Sequence, residues 1–254
     1  MVSSSKGEWA SVEVVPVRCH HGKVQADQDP AIWREPLDRG KIVIFRGALE
    51  PEAMVALRQA LLAWGATTPP LADGLSASQR GLDFHRIDDG TAPTTMPHIF
   101  HQFGFATGAV LPPPLRAEVQ GLRHLLLEWQ NRLAGTDFDL DDPEFRFKAL
   151  RHPRGGGHLV WHRHPYLPQK VAIFLNLSEP GRDYASGAAV FRNAAGLINT
   201  FDDFRCGDLL AWRYDLVHGV SAVEAGGPVL WQGDDGLWIA AMERFEAHPH
   251  SKVA

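Results

Sequence analysis

An α+β fold, in which a strand and helices precede an eight-stranded jelly roll or barrel, is what the sequence predicts, and three observations predict it. Beyond Pro143 the chain breaks into short β-like runs at 144–152, 158–163, 170–177, 187–192, 207–213, 216–222, 228–232 and 236–246. Gly, Pro and Asp separate them, and eight such runs are the pattern of a jelly roll or barrel. Before them, Leu115, Val119, Leu122, Leu126, Trp129 and Leu133 recur at helical spacing after a Pro-Pro-Pro start, which predicts a helix over 115–134 stopped at Gly135. At the front, Gly40-Lys41-Ile42-Val43-Ile44-Phe45-Arg46-Gly47 reads as a short, buried β-branched strand, and Pro51 opens a helix whose apolar residues run Met54, Leu57, Leu61 and Trp64.

The stretch from Thr67 to Thr95 is rich in Pro, Gly, Ser and Asp and reads as a loop or lid. A chain of 254 residues buries a sizeable core as one domain spanning 1–254. Residues 1–140 supply the N-terminal strand, helices and lid, and 144–246 supply the barrel. The 44% hydrophobic and 22% charged composition is that of an ordinary globular protein.

A net charge of −5 offers no general attraction to a polyanion, so nucleic acid is not the expected partner. No apolar run approaches a membrane span and no secretory leader is visible, so the cytoplasm is the expected location and no membrane partner is expected. Cys19 and Cys206 are far apart and form neither a disulfide framework nor a zinc motif; Cys206 reads as a small buried residue. The 13 histidines are the unusual count, because histidine is the commonest protein metal ligand.

Two of them define a motif. In Trp161-His162-Arg163-His164 the imidazoles stand two residues apart, and in a strand that spacing puts both on one face. A third ligand has to come from another strand, and His218, closing the apolar run after Gly207-Asp208, is the best placed. His158 has the same parity but reads as core or as support for the ligands. The Cys19-His20-His21 run reads as a solvated loop. Trp161, Trp212, Trp231 and Trp238 read as core, and Gly155-Gly156-Gly157 as a turn with no phosphate-loop lysine. Ser221 and Asp208 near His218 lack the elbow a hydrolase triad needs.

Over 145–223 the sequence resembles the iron(II)/2-oxoglutarate-dependent dioxygenase superfamily. Phe147 to Pro153 leading to Gly157, the core strand Val171 to Ser178, the small-residue turn Gly187-Ala188-Ala189-Val190-Phe191, and Gly207-Asp208-Leu209-Leu210 running to His218 follow that family's order. The resemblance implies a double-stranded β-helix, cupin-like in shape. It also implies an Fe(II) ion held by His162, His164 and His218, with O2 and 2-oxoglutarate as co-substrates for oxidation or hydroxylation of a small-molecule substrate.

Two departures qualify what the resemblance implies. His164 stands where the family has a carboxylate, so a two-His, one-carboxylate set becomes three neutral ligands. The family's Arg downstream of the last ligand is replaced by the Pro228–Gln232 span, and the next Arg is Arg244. Arg151, Arg192 or Arg213 on another strand are alternative carboxylate partners, since fork geometry and not chain order binds a carboxylate. His152, where the family often has a pocket-facing Tyr, and Asn176 in the core strand are further co-substrate or substrate contacts, and His98 and His101 are candidates for the substrate entrance. Three readings stay open at this level: an oxygenase with or without 2-oxoglutarate, a redox-neutral cupin-like metal enzyme or binding protein, and a barrel whose histidines hold no metal.

Overall fold

Local sequence preferences and burial account for most of the elements. The computed structural model describes residues 12–20, 23–71, 83–91, 96–244 and 251–252. The predicted first strand is β3 (Ile42–Arg46), and the proline-started helix is α2 (Pro51–Thr67). The amphipathic helix is α3 (Pro113–Ala134), whose six predicted apolar residues are all buried. Burying each of these large side chains is worth roughly 1.5–3 kcal/mol, which fixes α3 against the sheet more firmly than helix propensity does.

Seven of the eight predicted barrel strands form. They are β6 (Phe145–His152), β7 (Gly157–Arg163), β8 (Val171–Asn176), β9 (Ala189–Asn193), β11 (Leu209–Arg213), β12 (Val217–Val223) and β13 (Leu237–Arg244). The remaining barrel strand, fifth in chain order, is β10 (Gly196–Asn199), paired antiparallel to β9, not the predicted run at 228–232. That run is a loop because its carbonyls serve a side chain in place of a ladder. Arg151 donates to the carbonyls of Leu230, Trp231, Gln232 and Asp235, and Leu230 N–H donates to Arg154 O.

Before the barrel the chain also forms β1 (Val12–His20), β2 (Lys23–Ala26), α1 (Arg34–Asp38), β4 (Phe84–Asp88) and β5 (His98–Phe105). The loop expected over 67–95 is thus corrected at 84–88, where a strand pairs with β5; 72–82 and 92–95 lie outside the described residues. Cys19 and His20 end a strand paired with β2 and are not loop, while His21 lies outside the described residues.

One sheet runs β2-β1-β3-β11-β8-β13-β6-β5-β4, and β10-β9-β12-β7 forms a second. The start of β5 pairs with β7 and its remainder with β6, which joins the two; β14 (Ser251–Lys252) also pairs with β7. The eight barrel strands therefore alternate between sheets, first, eighth, third and sixth in one and second, seventh, fourth and fifth in the other.

Two apolar layers follow from strand alternation. Leu57, Leu61, Leu126, Trp129, Phe147 and Trp238 fill the layer between the larger sheet and the helices. Ile44, Phe191, Leu210, Trp212, Val220 and Ile239 fill the barrel interior between the two sheets. Trp212 and Trp238 are core as expected. Trp161 and Trp231 are only half-buried: Trp161 lies under the Arg192 guanidinium, and Trp231 is in the 228–236 loop. Cys206 is buried, and burial pushes its thiol up to about 12. No helix among the described residues is long and apolar enough to cross a membrane.

Candidate metal centre

The site is assembled where β7 and β12 pair antiparallel. His218 on β12 stands opposite His162 on β7, and His164 follows just after β7 ends. All three are buried, and one ring nitrogen from each lies within 4.8 Å of the others. Ring centroids are 4.3 Å apart for His162 and His218, 5.1 Å for His162 and His164, and 5.2 Å for His164 and His218. His164 stacks on Tyr214 at 4.4 Å, and Trp212 and Phe191 pack around His218.

The donor chemistry fits a divalent first-row ion. Nδ1 of His162 lies 2.9 Å from Val160 O, and Nδ1 of His218 lies 2.8 Å from Leu216 O. A carbonyl only accepts, so Nδ1 carries the proton in both rings and the lone pair is on Nε2. Fixing the tautomer through the other nitrogen is how proteins orient metal-binding imidazoles. Three neutral nitrogen donors on one side suit iron(II) and its neighbours in the first transition row.

A bulge determines which β7 side chains share a face. Between the pairs His218↔His162 and Val220↔Leu159, two steps on β12 span three on β7. Parity is therefore reset between Leu159, which packs on the barrel core, and His162. His158 is not in the cluster; its Nδ1 lies 2.9 Å from Gly156 O. Gly219 allows the close approach at this point: a Cβ there would meet Leu159 O at 2.8 Å and Val160 O at 3.2 Å. Gly219→Ala is expected to push β12 off the bulge, costing about 1–3 kcal/mol and weakening the binding of any divalent ion offered to the three imidazoles. Thermal melts alongside metal titration check this, and unchanged metal affinity would show the bulge to be dispensable.

The predicted co-substrate residues are placed elsewhere. Arg151 faces the helix layer and clasps the 228–236 loop. Arg192 is exposed over Trp161. Arg213 forks onto Asp215, at 2.6 and 3.0 Å, beside Tyr166. Arg244 shares the face of Ala240 and Met242, in the helix layer. His152 pairs with Leu237 and Asn176 with Ile239, at the opposite end of the barrel. Burial, then His158 and His98, push His152 down to about 3, while Asn176 binds Phe204 O and Ser178. His98 is held by Met96 O and Asp88 at the start of β5. His101 faces the helix layer with Phe103 and is no entrance to this site.

The charges that do face inward were missed. Arg146, Lys148 and Glu243 share the sheet face of Leu150, Leu237 and Ile239, and Lys148 pairs with Glu243. Carrying the β13–β8 register on from Ala241↔Phe174 sets Glu243 beside Ala172. Ala172 pairs with Trp212, the neighbour of His218. The three charges thus sit at the histidine end of the barrel. Their signal was the alternation Phe145-Arg146-Phe147-Lys148-Ala149, apolar on one face and basic on the other.

No family model matches the sequence, and no curated protein matches it significantly. Solved structures do. A Pseudomonas putida prolyl-4-hydroxylase aligns over 85% of this chain and 99% of its own, at 13% identity and a TM-score of 0.55. The rice dioxygenase for auxin oxidation aligns over 91% and 82%, at 13% identity and 0.53. The chain shares the double-stranded β-helix fold of these enzymes. The non-haem α-ketoglutarate-dependent epimerase SnoN of nogalamycin biosynthesis has it as well, aligning over 84% and 83% at 13% identity and 0.51. In this double-stranded β-helix the three histidines occupy one end and the charged trio lines the wall of the larger sheet.

Proposed function

We propose that the chain is a non-haem iron(II) oxygenase acting on a small organic substrate, with His162, His164 and His218 as the metal ligands. The observation that carries the reading is the buried three-imidazole cluster within 4.8 Å at one end of this barrel. Iron(II) in such a site supplies one-electron chemistry with O2. The residues of the chain hold and orient: Val160 O and Leu216 O fix two rings, and Tyr214 backs the third. Trp212 and Phe191 keep water from the inner side of the site.

Three neutral ligands leave the charge of a divalent ion uncompensated, which favours an anion as co-ligand. Arg146 and Lys148 outnumber Glu243 on the facing wall, so the wall favours an anion too. Both point to a dicarboxylate co-substrate of the 2-oxoglutarate type, one end at the metal and the other at Lys148.

The reading is tested by anaerobic iron(II) loading followed by O2 uptake, with and without 2-oxoglutarate and across candidate substrates. Succinate formed in step with O2 consumption supports the co-substrate; failure of the chain to bind iron(II) would end the proposal. Lys148→Met is expected to raise the 2-oxoglutarate concentration needed for half-maximal turnover by about tenfold or more, the equivalent of a lost charge-assisted hydrogen bond, with iron content unchanged. An unaltered requirement would remove Lys148 from the co-substrate site.

A further inference from the structure

A cavity of about 600 Å³ lies on the face of the larger sheet turned away from the three histidines, between α2, the β4–β5 pair and the 228–236 loop. That volume is within the range of small-molecule sites. Leu62, Ile87 and Trp231 give it apolar walls, Asp234 stands at its edge, and His85 and His101 line it as well. It is separate from the three histidines, because His101 and Phe103 face α2 while the metal cluster lies inside the barrel.

The hydrogen-bond accounting of the two histidines shows what is left over. His85 Nε2 lies 2.6 Å from Thr68 O, which can only accept, so that nitrogen carries the proton. In neutral His85 the lone pair is then on Nδ1, which lies 2.9 Å from His101 Nε2. His101 Nε2 must therefore be the donor. The chain of donors ends with a lone pair on His101 Nδ1, on a residue that lines the cavity. Burial first, then His85 and Arg151, push the His101 pKa down to about 3, so at neutral pH this nitrogen accepts and does not donate.

The surrounding charge narrows the choice of ligand. Asp234 is matched by Arg58 at 3.3 Å, and the Arg151 guanidinium stands behind His101, so the site does not attract a cation. An anion would meet the His101 lone pair. We propose that this cavity is a second ligand site for an uncharged hydroxyl compound with a ring-sized apolar body, whose O–H donates to Nδ1 of His101. Trp231 and Leu62 flank the body, and the His101–His85–Thr68 chain polarises the acceptor. The proposal is independent of the iron reading.

The test uses p-cresol as probe and 4-methylanisole, its methyl ether without a donor, as control, on the full chain. Binding is followed by the imidazole nitrogen shifts of His85 and His101 and by Trp231 fluorescence. p-Cresol is expected to bind saturably and move the His101 Nδ1 resonance. The ether is expected to bind about tenfold more weakly, the equivalent of one neutral hydrogen bond. His101→Phe is expected to erase the difference between the two probes. Equal binding of both probes to the wild type, p-cresol shifts confined to His162, His164 and His218, or no saturable binding would each overturn the proposal. The wild-type comparison stands alone if the variant does not fold.

Discussion

Replacing His218 by alanine is expected to strip the chain of iron(II) and abolish metal-dependent O2 consumption while leaving the fold intact. The imidazole projects from β12, whose pairings to β7 and β9 are made by the backbone, so truncation leaves both ladders in place. With two of the three donors remaining, metal affinity should fall well beyond the roughly 10–100-fold typical of losing a residue that merely orients a ligand. His162→Ala should behave alike. His164→Asp should instead retain iron, because it restores a two-His, one-carboxylate set. It gives up the stack on Tyr214, and the added negative charge should weaken any anionic co-ligand. Metal analysis after anaerobic loading and gel filtration, with circular dichroism as control, reads all three variants. Wild-type iron content in His218→Ala would mean that the cluster is not the metal site.

Features whose placement local chemistry decides stand in the structure where the sequence puts them. The His162/His164 pair, the Gly-Asp turn before β11 and the 3.6-residue periodicity of α3 each depend on neighbours close in the chain. What failed depends on distant partners. The 228–232 run has strand-like residues, yet Arg151, some eighty positions earlier, takes its carbonyls. β4 hides in polar sequence because its stability comes from pairing with β5. Arg151, Arg192 and Arg213 are candidates because a guanidinium fork binds a carboxylate from any strand, and Arg244 because it is the next Arg downstream of His218, but strand parity sends each to a face away from the histidines. The same parity, applied to Phe145–Ala149, would have nominated Arg146 and Lys148. Parity has its own limit at the β7 bulge, which no pattern in that strand announces and which only Gly219 on the partner strand makes possible.

The largest stability effect is expected at Arg58. It projects from α2, is 4% exposed, and forks onto Asp183 at 2.7 and 3.2 Å, with Asp234 at 3.3 Å. Asp183, equally buried, also accepts from Glu179 N–H and Arg182, and its carbonyl accepts from Gly236 N–H. One ion pair thus ties α2 to the turn before β9 and to the 228–236 loop. Arg58→Met keeps much of the stem packing and leaves buried Asp183 with the half-exposed Arg182 still forked onto it, so the loss should fall at the lower end of the about 3–5 kcal/mol typical of breaking a buried pair. For a chain of this size that lowers the melting temperature by roughly 10 °C. Asp183→Asn in the same background should recover much of the loss, whereas simple additivity of the two changes would show that they do not interact. The pH dependence follows in sign. Burial alone would raise the Asp183 pKa, but hydrogen bonds from Arg182, Arg58 and Glu179 N–H more than offset it and hold the carboxyl well below its ordinary value. A depressed folded pKa gives stability that is present above the unfolded value of about 4 and is lost as pH falls below it. The gap between wild type and Arg58→Met should therefore be widest near neutral pH and narrow below about pH 4, which urea melts across that range would measure. A constant gap would place the role of Arg58 in packing and not in charge.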